Sequence, residues 1–102
     1  MRSPGRVTRM LIRINAIMRS FKAKGNYPIL YVVDRIPNRE DVVILIVDIF
    51  YEDRRQAEEL VKKVVEHLHS HNVKVLDYIL DSYLMPFKEV WRFVAKVAVD
   101  IL

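Results

Sequence analysis

Three histidines alternate within a short stretch: His67, His69 and His71. His67 and His71 stand four residues apart, a spacing that on a helix brings two imidazoles to one face and one metal ion. A zinc-type site needs a third donor. The chain has no cysteine and no pair of acids beside the run. The same residues suit a helix C-terminus, where cationic side chains offset the negative end of the macrodipole. We read no metal site and no cofactor.

The acids Asp34, Asp48, Asp77, Asp81 and Asp100 lie in or near apolar runs. Asp48 and Asp100 occupy matching places in an internal echo, Val47-Asp48-Ile49-Phe50 and Val99-Asp100-Ile101-Leu102. Two carboxylates brought close could bind a divalent ion or do acid–base work. Facing water, they would instead discourage pairing at a sheet edge. No phosphate-cradling glycine loop, nucleophile elbow or serine–histidine–acid set is present. The expectation is a protein that is not an enzyme.

The cations are distributed unevenly. Residues 1–25 carry seven basic groups and no acid, although the whole chain is only +4. Arg6, Arg9 and Arg13 share one ridge of a helix, with Lys24 nearby, and guanidinium forks suit phosphates. This supports a nucleic-acid-binding alternative. Against it, no aromatic–basic RNA-binding run, helix-turn-helix turn or zinc spacing occurs.

These residues must be carried by a small scaffold. At 102 residues with 52% apolar content, the chain reads as a single domain, 1–102. Val7, Met10, Leu11, Ile14, Ile17, Met18 and Phe21 recur at helical period after Ser3-Pro4, which can start a helix. Gly25-Asn26 stops it. Asp53 caps a second helix with the stripe Ala57, Leu60, Val61, Val64, Val65 and Leu68. Sliding the first stripe forward by about 47 residues lays it on the second, a shift of many helical turns. Each helix is followed by asparagine and an apolar run, then by a second run: 28–33 and 42–50, 73–80 and 90–102.

The expected fold is α+β: tandem αββ-αββ repeats, 3–50 and 53–102, forming a four-stranded antiparallel sheet with two helices on one face. That order corresponds to a circularly permuted ferredoxin-like topology. The alternative is that segment 86–102 is helical, because Phe87, Val90, Trp91, Val94, Ala98 and Ile101 also share a helical face. The echo and the β-branched content favour strand.

Strand alternation then leaves one face of the sheet without a helix. Placing Val43, Leu45, Val47 and Ile49 inward, with Leu30 and Val32, turns Ile29, Tyr31, Val33, Val42, Ile44, Ile46 and Phe50 outward. An apolar patch of that size usually marks an interface. The expected function is a protein–protein interaction module, binding a partner or a second copy of itself as a homodimer. It would use this face, an exposed strand edge, or the groove between the repeats, with Ile44, Ile46 and Phe50 the leading contacts.

The run Val42-Val43-Ile44-Leu45-Ile46-Val47 and the pairs Glu58/Lys62 and Glu59/Lys63, in a cysteine-free chain rich in Ile, Val, Arg and Lys, resemble small orphan proteins of filamentous viruses of hyperthermophilic archaea, the Acidianus filamentous virus type. The resemblance implies a viral protein in the host cytoplasm and transfers no functional residues. The longest apolar run is far too short to cross a bilayer, and Arg9, Arg13 and Arg19 interrupt any signal-peptide core. An intracellular, non-membrane protein is the expectation.

Overall fold

The computed structural model describes residues 5–86 and 88–99. Two helices and four strands follow in the order α1 (Arg6–Gly25), β1 (Ile29–Arg35), β2 (Val42–Ile49), α2 (Arg54–Ser70), β3 (Val75–Met85) and β4 (Lys88–Ala98). The protein is α+β. Its four strands form one antiparallel sheet ordered β1-β2-β4-β3.

Local chemistry sets the ends of the elements. Gly5 precedes α1 without a side-chain cap, and Asn26 closes the helix in the left-handed region at φ 49°. The Asp53 carboxylate accepts from the Arg55 N–H at 3.0 Å and starts α2. Asn38, at φ 64°, turns the β1–β2 hairpin. The expected start at Ser3-Pro4 lies outside the described residues.

The two helical stripes fall on one face of the sheet. Met10, Ile14, Ile17, Met18 and Phe21 of α1 join Ala57, Leu60, Val61, Val64 and Leu68 of α2 in a single core. That core rests on Val43, Leu45, Val47 and Ile49 of β2 and Trp91, Phe93, Ala95 and Val97 of β4. Period-2 alternation therefore governs the last element, which is strand and not helix.

Val47 and Val99, the first residues of the two echo segments, stand at different places. Val47 lies inside β2, whereas Val99 follows the end of β4; Asp100, Ile101 and Leu102 lie outside the described residues. Strand pairing sets Ile46 beside Val94 instead.

A second correction concerns β1. Ile29 is buried in the helix-side core, and Tyr31 and Val33 pack against it. Leu30 and Val32 face away. Residues paired across an antiparallel ladder share a face, and the hairpin sets Ile29 opposite Ile49 and Tyr31 opposite Val47. All five residues from Ile29 to Val33 are apolar, so the strand carries no polar marker of its own phase.

Candidate interaction surface

The face away from the helices is organised in rows that run across all four strands. The central row is Val32, Ile46, Val94 and Ile79, one residue from each strand in register. All four are apolar. Val32 is 58% exposed and Ile79 60%, while Ile46 and Val94 between them are half-buried. Leu30 extends the patch on β1 at 59%.

Charged rows flank the apolar one. On one side Leu30, Asp48, Arg92 and Asp81 lie in register; on the other, Asp34, Ile44, Lys96 and Asp77. The cations of these rows sit on β4 and the acids on its neighbours and on β1. Arg92 donates to both carboxylate oxygens of Asp48, Nε to Oδ1 at 2.8 Å and Nη2 to Oδ2 at 3.1 Å. It also donates to the Tyr83 hydroxyl at 3.2 Å and lies 4.7 Å above that ring. Bonding to Asp48 holds the Arg92 guanidinium above its ordinary range, against the opposing effect of burial. This fork occupies Asp48, and the expected approach to Asp100 falls outside the described residues.

Of the residues expected on this face, Ile44, Ile46 and Phe50 are there and half-buried, with the Lys88 ammonium 5.4 Å from the Phe50 ring. Val42 is on the same side but only 3% exposed, so it offers little surface. Ile29, Tyr31 and Val33 belong to the opposite face. The sequence reading missed Leu30, Val32, Ile79 and Val94. The spacing Asp77-x-Ile79-x-Asp81 was the available signal, because alternate acids mark the watered side of a strand.

The sheet edges are guarded. β1 and β3 are the outer strands among the described residues. Asp77 Oδ1 accepts from the Tyr78 N–H at 2.8 Å, and Asp81 Oδ1 accepts from the Ser82 N–H at 3.0 Å. Asp34 Oδ1 likewise takes the Arg35 N–H at 2.8 Å. Each bond occupies a donor that an added strand would need.

The basic helix does not assemble one cationic site. Arg6 and Lys24 stand at opposite ends of α1, about 27 Å apart at 1.5 Å per residue. Arg6 shares an open cavity of about 450 Å³ with Arg35 and Arg39. There Arg35 donates to Thr8 Oγ1 at 3.0 Å, and Arg39 forks onto Asp41 at 2.8 and 2.9 Å. Arg6 and Arg9 are exposed; Arg13 is half-buried and donates to the His71 carbonyl.

Lys24 lines a second cavity of about 480 Å³ with Phe21, Tyr27, Lys63 and His67. Both helices end at this cavity, where Lys24 sits in the last turn of α1 and offsets its macrodipole, and Glu66 also lines the wall. His67 and His71 approach with ring centroids 4.7 Å apart. Among the described residues no group of three histidine or acidic side chains is placed to hold a metal, and no helix is long and apolar enough to cross a membrane.

Comparison with protein-family models, with characterised proteins and with solved structures finds no match.

Proposed function

We propose that this chain is a non-enzymatic interaction module that binds protein through the helix-free face of its sheet. The observation carrying this reading is the apolar row Val32–Ile46–Val94–Ile79, exposed at its two ends, half-buried at its centre and framed by charge. Burial of apolar area contributes about 25 cal/mol per Å², and the framing charges give a partner its register. The guarded edges favour the face over strand addition. Ile46→Glu places a carboxylate at the centre of the row without touching the helix-side core. Capture from the native cell should lose the partner with this variant, while circular dichroism and thermal melting remain those of the parent. Ile12→Glu, at an exposed position on α1, should leave capture unchanged. Equal capture by Ile46→Glu and the parent would overturn the reading.

A second reading is contact with nucleic acid along α1. Its support is a helix of 20 residues without an acid, whose start lies beside Arg35 and Arg39. It requires affinity that falls steeply with salt as phosphate counterions are released. An Arg6→Ala/Arg9→Ala variant that binds DNA and RNA as well as the parent would remove it.

A further inference from the structure

We infer that the protein seated on the open face is a second copy of this chain, packed sheet to sheet about a twofold axis parallel to the strands and passing between β2 and β4. The inference rests on the interaction reading above and names its partner.

The charge pattern selects this arrangement. The two framing rows hold Asp34, Asp48, Asp77 and Asp81 against Arg92 and Lys96. A polyanion would meet these acids, whereas a second copy brings its own alternation of sign. Two simple axes exist in the plane of contact. An axis along the apolar row would set Lys96 over Arg92 of the second copy and Asp77 over its Asp81, two like-charge meetings. An axis along the strands sets Val32 over Ile79 of the second copy and Ile46 over its Val94, so the apolar row covers itself. It also sets each Asp48 over the other copy's Arg92. The existing fork then becomes a four-group network with alternating sign. Its like-charge meeting, Asp34 with Asp77 of the second copy, falls on the outer strands where water screens it. Aligned sheets pack with an angle of about 30° between strand directions, which keeps this register near the axis.

The available area agrees with a reversible dimer. Four strands about 4.8 Å apart give a face about 19 Å wide. Over an eight-residue centre it is about 27 Å long. That is about 500 Å² per copy and about 1,000 Å² in all, below the standard interface size and in the range of weak or transient association. The guarded edges of β1 and β3 oppose the competing route, in which copies join edge to edge into open arrays.

The absence of cysteine permits a direct test with introduced thiols. In the stated register Val32 lies about 10 Å from Ile79 of the second copy, the distance between packed sheets. The two Val32 positions are about 17 Å apart, because three strand spacings of about 4.8 Å combine with the intersheet distance of about 10 Å. Val32→Cys and Ile79→Cys proteins are mixed and treated with a short bis-maleimide spanning about 10 Å, the intersheet distance. Mixed-pair product should exceed Val32→Cys homodimer product at least tenfold. Sedimentation should show dimer at tens of micromolar, and Ile46→Glu should weaken it at least a hundredfold.

A parent protein that stays monomeric at 200 µM, or Val32→Cys homodimers as the main product, would overturn the second-copy inference. A monomeric parent that nevertheless captures a different protein in an Ile46-dependent manner would overturn this inference and leave the interaction reading standing. Self-association and capture that are both unchanged by Ile46→Glu would remove both.

Discussion

On β2, Val43, Leu45, Val47 and Ile49 are sealed beneath the helices, while Ile44 and Ile46 remain half-exposed on the other side. The residue types are nearly the same; their neighbours differ. The helix side ends in two amphipathic stripes that exclude water. The open side ends in solvent and is crossed by Asp48–Arg92. A strand apolar on both faces is usual where both are covered. Here one cover is internal, and the other is the one we propose a second copy supplies.

The sharpest way to break this comparison is to truncate one large residue on each side. Phe93 is fully buried in the helix-side core. Phe93→Ala should cost about 3–5 kcal/mol, the transfer loss plus the cavity left behind. Ile79→Ala, in dilute solution where copies are separate, should stay within about 0.5 kcal/mol, as surface changes do. Urea unfolding of both variants measures the contrast. Equal losses would mean that the open face is already covered within one chain.

How much of this division was legible in the sequence depended on polar markers. β2 contains Asp48 within its apolar run, and that acid sets the strand's phase; Val43 to Ile49 were placed correctly. β1 has five consecutive apolar residues, so its phase came only from the hairpin register with β2, a non-local fact. The last element satisfied helical and strand periods together. Pairing with β2 on one side and β3 on the other decided it, again through contacts distant in sequence. Of the echo, Val47 and Val99 stand at unequal positions, one inside β2 and the other past the end of β4. The helix stripes were legible because seven apolar residues in α1 and six in α2, at period 3.6, leave little choice of face.

The helix side can be tested next at its rim. A Cβ on Gly25 would lie 2.0 Å from Tyr27 Cε2, and that ring is stacked on Phe21 with centroids 4.7 Å apart. Gly25→Ala must displace the ring and should cost about 1–3 kcal/mol, as overpacking does. In a Tyr27→Ala background the same change should become neutral or stabilising, because alanine is the better helix residue by about 1 kcal/mol. A double-mutant cycle reads the sign reversal. Additive losses would show that the ring does not lie over the glycine.

A smaller effect separates helix formation from helix packing. Asp53→Ala removes the carboxylate that takes the Arg55 N–H and should cost about 1 kcal/mol. Dimer formation at the open face, on the other side of the sheet, should be unchanged once folding is saturated. A loss of assembly equal to the loss of stability would couple the two faces.

The least effect expected is a pH dependence confined to the helix side. Burial holds the His67 imidazole below its ordinary range; His71 adds to the depression, the Ile17 carbonyl opposes it, and Lys24 lowers it further. The ring also lies 5.3 Å from Phe21 and 3.4 Å from Ser20 Oγ. A lowered pKa means that the unfolded chain binds the proton more readily than the native one. Stability is therefore complete above the ordinary histidine range and falls as pH drops through about 6.5 towards the native value. Asp41 is held low chiefly by its hydrogen bond from Arg39. Its contribution disappears only in the carboxylate range, near pH 4 and below. Between pH 8 and 5.5 the melting temperature should fall by roughly 1–3 °C, the shift of a sub-kilocalorie change in a domain of this size. His67→Gln should flatten the part of that slope due to this ring, while leaving sheet-face assembly unaltered. A slope that survives His67→Gln intact would place the titrating group elsewhere.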